Sequence, residues 1–289
     1  MVLAILSLGT ILFRYSFSLK YLCLFFALVF LLLILFKMVK YPSFFKSDLD
    51  NPIIFSSFGT FSMSLMLLST YLYDFFGFYS IILWILGIML HLIILIVFTY
   101  RFVICDFNLN DVYGTWWIVY VGISMAAISS PIFGIKNIGY IFFLIGFSLM
   151  IPSFLLVTYR YLKRREISDA NKPFMSIYTA LFSILIVAYI SSSYSINFLF
   201  LGILYFMHLI SFIVSIVNLF KSRSIGFYPS FAAFSFPFVI SAKASEFILN
   251  LKYNIIINYI FNFELIVAIF LVILISLAYI KYIRSLFYE

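Results

Sequence analysis

Ten apolar stretches, each close to the length needed to cross a bilayer, follow one another along this chain with little between them. They cover residues 2–17, 19–38, 52–73, 78–102, 113–133, 138–162, 174–193, 196–220, 230–251 and 260–280. A helix needs ~20 apolar residues to span the hydrocarbon, and in lipid every backbone polar group must find its partner inside the protein. Runs of this kind predict an all-α integral membrane protein. Composition agrees: 66% of the 289 residues are hydrophobic and 10% are charged, against roughly 25% charged in a soluble domain. A soluble enzyme, a disordered chain, a collagen-like repeat and a disulfide-stapled fold are excluded. What lies between the spans is short loops, so the chain reads as a single transmembrane domain. The first run is short and carries Arg14 near its end. No basic stretch precedes it and no small-residue cleavage site follows, so it reads as half of a helical hairpin rather than a signal peptide.

Loop charge predicts orientation. Of 18 Lys and Arg, thirteen fall on one set of loops and ends, including Lys37, Lys40, Lys46, Arg101 and the run Lys163, Arg164 and Arg165. Arg14, Lys20, Lys136 and Lys252 fall on the opposite set, and Lys243 lies within a span. The basic side is read as cytoplasmic, with both termini there, in a plasma membrane or prokaryotic inner membrane. The net charge of +8 is then a topology signal, with no nucleic-acid partner implied.

The spans are of two kinds. Odd-numbered ones are rich in small and hydroxylic residues, as in FSSFGTFSMS of the third and GISMAAISS of the fifth. Even-numbered ones are bulky and greasy, as in YLCLFFALVFLLLILF of the second, with the sixth intermediate. Small residues let backbones approach, and hydroxyls need partners away from lipid. Odd spans are therefore expected inside and even spans outside, as five hairpins with an inner ring around a narrow axial path. Expected lining residues are Ser7, Thr10, Ser56, Gly59, Thr60, Ser124, Ser183, Ser235 and Ile240.

Reactive chemistry is sparse. The two His, His91 and His208, fall on even spans and read as packing or interfacial residues. Cys23 and Cys105 read as inert packing thiols. The sequence carries no metal-ligand spacing, catalytic triad, paired intramembrane carboxylates or phosphate-cradling loop, so no cofactor and no enzymatic activity are expected. Glu246 and Glu264 read as interfacial.

The ninth span, FYPSFAAFSFPFVISAKASE (residues 227–246), is the most informative. Pro237 at mid-span should kink the helix, with Phe236 beside it. Helical spacing sets Phe236, Ile240, Lys243 and Glu246 roughly on one face. Lys243 admits two readings: it snorkels outward and pairs with Glu246, or it attracts anions at the outer end of the path.

The segments AFSFPFVISAKA (233–244), DLDNPIIFSSFGTFSMSLMLLSTYL (48–72) and IVYVGISMAAISSP (118–131) resemble the tellurite-resistance/dicarboxylate transporter family. That family includes plant guard-cell slow anion channels, fungal malate permeases and sulfite efflux pumps. The resemblance implies five hairpins in quasi-five-fold arrangement, assembly as a homotrimer, and a pore plugged by a Phe of the ninth helix. Here that Phe maps onto Phe236, with Phe234 as the alternative register. Lys243 is not part of the family motif. The chain departs from the family in its short, proline-free first span and in having no long N-terminal tail. The expected function is an anion channel or permease for small inorganic or organic anions. The alternative is a proton-coupled carrier of C4-dicarboxylates or sulfite, which would need a titratable group inside the membrane.

Overall fold

The computed structural model describes residues 1–164 and 166–286, with the side chain of Leu286 excepted; Arg165 of the basic run lies outside the described residues. Among the described residues the chain is helical, with no strand. Twelve α-helices are described: α1 Val2–Leu12, α2 Phe17–Lys40, α3 Pro42–Asp48, α4 Pro52–Phe76, α5 Ile81–Thr99, α6 Trp116–Tyr120, α7 Met125–Ser129, α8 Lys136–Lys163, α9 Ile177–Ser192, α10 Phe198–Ser222, α11 Phe236–Leu251 and α12 Ile255–Leu286. Local sequence sets their starts. Asn51 accepts from the backbone N–H groups of Ile53 and Ile54 ahead of Pro52, and Asn197 does the same for Leu199 and Phe200. These caps supply the acceptors that a helix's first turn lacks.

Seven helical segments are long and apolar enough to cross a membrane; one of them, Pro52–Cys105, holds α4 and α5 back to back. Val2–Leu12 and Gly122–Phe133 are shorter apolar segments. Burial divides them. In Asp169–Ser192 the most apolar window is 83% buried, and in Pro229–Leu251 it is 67% buried. The corresponding figure is 22% for Phe17–Lys40 and 28% for Lys136–Lys163. Nearly all of α1 is buried as well. Each inner element packs on the outer helix that follows it: α1 on α2, α4 on α5, α6 and α7 on α8, α9 on α10, and α11 on α12. The inner elements also touch in a closed cycle, from α1 to α4, α6 and α7, α9, α11 and back to α1.

Three spans differ from expectation. The first helix stops at Leu12, and Arg14 lies in the turn before α2. Its 11 residues rise only ~16 Å, half a bilayer. The fifth is broken into α6, a 3₁₀ turn at Gly122–Ser124, α7 and a second 3₁₀ turn at Ser130–Phe133. Close packing accompanies the break: a Cβ on Gly122 would lie 2.8 Å from both His91 Cε1 and Met63 Sδ. In the ninth, Pro237 does not kink a continuous helix. A 3₁₀ turn, Pro229–Phe234, gives way to α11 at Ser235 (φ −88°, ψ −71°), and Pro237 occupies the first turn of α11. There the missing N–H costs no intrahelical bond.

The two histidines and Glu264 face inward, which corrects the interfacial reading of all three and agrees with the alternative reading of the histidines as packing residues. All three are fully buried. His91 Nε2 lies 3.0 Å from the Val119 carbonyl oxygen and its Nδ1 2.7 Å from Ser62 Oγ. His208 Nδ1 lies 2.9 Å from Ser183 Oγ, and its Nε2 3.0 Å from Glu264 Oε1. A polar group on a greasy helix is stable in a bilayer when it turns toward a partner on a neighbouring helix. Hydropathy reports a helix's average and hides that single inward residue.

Candidate functional site

Two cavities enter the bundle from opposite ends. The wider, of about 750 Å³, lies at the end where α4 and α11 begin. The narrower, of about 440 Å³, lies at the other end. All five inner elements line both, in the same order along the chain. Leu3 and Ala4 of α1 line the wide cavity, and Ser7 and Thr10 line the narrow one. On α4 the change falls between Met63 and Leu67, and on the broken fifth span between Gly122 and Met125. On α9 it falls between Ile184 and Ile190, and on α11 between Pro237 and Ile240. The inner helices are thus parallel. Across the septum between the cavities, the lining changes over within three or four residues on four of the five elements, about one helical turn or ~5 Å, and on α9 within six, ~9 Å.

Parallel packing sums the dipoles of four helices, α1, α4, α9 and α11, in one direction. Their N-terminal ends, marked by Met1, Asn51, Ile177 and Ser235, all border the wide cavity. Each carries roughly half a positive charge, which favours anions. The charged side chains that line the wide cavity, Lys37 and Asp48, pair with each other at 2.5 Å. Two cations, Lys136 and Lys243, line the narrow cavity. Lys243 Nζ lies 2.8 Å from Glu246 Oε2 and donates to the Thr10 carbonyl at 3.3 Å, with its side chain 15% exposed. Glu246 is buried and does not line the cavity. The structure thus combines features of both sequence readings of Lys243: an ion pair with Glu246 and a cation at a cavity wall.

Of the residues singled out from sequence, Thr60, Ser235, Phe236 and Pro237 line the wide cavity. Ser7, Thr10, Ile240 and Lys243 line the narrow one. Phe234 lines neither; it is fully buried, with its ring 5.8 Å from Phe231 and 6.5 Å from Phe238. Ser56, Gly59, Ser124 and Ser183 also line neither. Ser56 donates to the carbonyl of Ile53, and Gly59 packs against Ile118. Ser124 faces α8, where a Cβ on Gly146 would overlap its hydroxyl, and Ser183 turns to His208. Hydroxyls are a poor guide to the lining because most satisfy themselves. Ser56, Ser57, Thr60, Ser62, Ser64, Ser69 and Thr70 of α4 all donate to carbonyls three or four residues earlier. A hydroxyl bonded to its own helix can face any direction. Around the septum the walls include apolar side chains that the hydroxyl criterion passes over: Met63, Leu67, Met125, Ile184 and Ile190.

No curated protein matches the chain. The family model described as voltage-dependent anion channel (SLAC1) matches residues 1–284. With that match over almost its whole length, and an all-helical membrane architecture, the chain belongs to the voltage-dependent anion channel family.

Proposed function

We propose that the chain passes small anions along the axis joining the two cavities, with Phe236 of α11 closing the septum. The observation that carries this reading is the pair of coaxially ordered cavities, separated by ~5–9 Å and lined by the same five inner elements. The wide cavity draws anions by helix dipoles and hydroxyl donors rather than by a free fixed charge. Binding is then weak enough for release, as conduction requires. Phe236 stands on the wide-cavity side of the septum, and an aromatic ring at an apolar constriction blocks both by bulk and by excluding water. Lys243, held against Glu246, is the outer attractor. The basic end, with Lys37, Lys46 and Arg101, is the cytoplasmic one, so anions leaving the cell enter through the wide cavity.

A selectivity series with chloride, nitrate, sulfite and malate on purified protein in liposomes tests the proposal. Passive flux down each anion's own gradient supports it. Flux that requires an opposing proton gradient, or no flux at all, refutes it.

A further inference from the structure

The contact between His208 of α10 and Glu264 of α12 lies outside the path, yet it touches the helix that carries Phe236. Glu264 Oε1 receives the Ser241 hydroxyl at 2.7 Å and lies 3.0 Å from His208 Nε2. Ser241 is on α11, five residues beyond Phe236. His208, Glu264, Ser241 and Ser183 are all fully buried. Glu264 Oε2 has no hydrogen-bond partner among the described residues.

His91 offers an internal comparison, because it too sits on an outer helix with its Nδ1 against an inner-helix serine. Its Nε2 meets the Val119 carbonyl, which can only accept. That contact places a proton on Nε2 of His91. At His208 the same nitrogen meets a carboxyl group, which can accept or donate. Two charge states therefore fit one geometry. With a neutral imidazole donating Nε2–H to a carboxylate, the pair carries one negative charge. With one more proton, carried on the unpartnered Glu264 Oε2, it is neutral, as imidazole and carboxylic acid.

Few other ionisable groups are near. Tyr205 of α10 stacks on the imidazole, with ring centroids 5.3 Å apart, and its hydroxyl reaches Ser245 of α11 at 3.2 Å. From α9 and α11 the pair meets the hydroxyls of Ser183 and Ser241. Lys243 and Glu246 of α11 pair with each other. Arg14 lies over the ring of Phe261, three residues before Glu264 on α12.

We infer that His208 and Glu264 form a proton-binding site that controls the path through Ser241. Without the extra proton, Ser241 donates to an anionic oxygen, and this charge-assisted bond ties α11 to α12. Adding the proton removes the negative charge from beside the path and can leave Ser241 with a weaker neutral acceptor. Acidification therefore frees α11, and with it Phe236, and anion flux rises. The inference rests on the channel reading for its effect on flux and on the buried pair alone for the proton.

The experiment compares purified wild type, Glu264→Gln and Ser241→Ala in liposomes at pH 7.5 and 5.5. Size-exclusion profiles verify the fold, and a second measurement records the infrared carboxyl band. Wild-type flux is expected to rise about five-fold on acidification, the scale of exchanging a charge-assisted hydrogen bond for a neutral one. Glu264→Gln should abolish the pH dependence and remove a titrating carboxyl band. Ser241→Ala should keep the band while flattening the flux response. The same pH response in folded wild type and Glu264→Gln, or no band that Glu264→Gln removes, overturns the inference. Absence of flux in every arm refutes the channel reading. The infrared band then decides the proton site: a band lost in Glu264→Gln sustains it, and no such band overturns it.

Discussion

Replacing Glu246 by Gln should increase anion entry from the narrow cavity, although it breaks an ion pair. Lys243 Nζ borders the cavity, and the Glu246 oxygen lies 2.8 Å from it, off the lining. For an anion about 6 Å from Nζ and an effective dielectric of about 20, the lysine contributes about −2.8 kcal/mol. With the carboxylate about 9 Å away, it returns about +1.9 kcal/mol, leaving about −0.9 kcal/mol for the intact pair. Glu246→Gln removes the opposing term, a gain of about 1.9 kcal/mol and a rate increase of about 25-fold. If water fills the cavity and the dielectric approaches 80, the increase shrinks to about two-fold. Lys243→Ala does the reverse and also strands a buried carboxylate, a cost of roughly 3–5 kcal/mol when one partner of a buried pair is lost. Lys243→Met with Glu246→Gln removes both charges and keeps the comparison interpretable. The assay is initial anion influx into liposomes at about 20 and about 300 mM ionic strength, where screening shrinks the Debye length several-fold. A folded Glu246→Gln protein with unchanged or reduced influx at low salt would show that Lys243 only anchors the helix end.

Further tests separate the path from its scaffold. Phe236→Ala should raise conductance with little loss of thermal stability in detergent, since its ring borders a cavity. Phe234→Ala should leave conductance unchanged and lower stability by about 3–5 kcal/mol, as for other fully buried rings; the opposite pattern would exchange their roles. Gly146→Ala should depress the melting temperature, because a Cβ there overlaps Ser124, and Ser124→Gly in the same chain should recover part of the loss. His91→Ala removes the ring nitrogens that meet the Ser62 hydroxyl and the Val119 carbonyl, leaving that carbonyl without this donor. About 1–3 kcal/mol of stability should be lost, while the pH response of flux persists; a flattened response would extend proton sensing to both histidines.

How far the sequence reached depends on which physical signal each feature leaves. Spans such as α2 and α12 are written in long apolar runs, because lipid demands them, and the contrast between α2 and α9 is written in side-chain size, because inner helices must approach closely. The family was legible in the ninth span, and the match over residues 1–284 agrees. The break in the fifth span was less so: Gly122 and Ser124 are tolerable in a membrane helix, and only packing against His91 and Met63 accompanies the turn there. Pro237 marks a change in helix geometry in sequence, but only the preceding 3₁₀ turn puts it at a helix start.

Sequence by itself determined the solvent, the helical class and the division into small-residue and bulky partners, because these follow from transfer free energies summed over many residues. Tertiary structure decided the direction of single side chains. Thr60 borders a cavity while Ser56, one turn earlier on α4, does not, and both hydroxyls are satisfied by their own helix. Glu264 looks interfacial in the chain and is buried against His208 and Ser241 in the fold. Direction is set by the rotation of a helix against its neighbours, a property of pairs of elements that no single run of residues encodes.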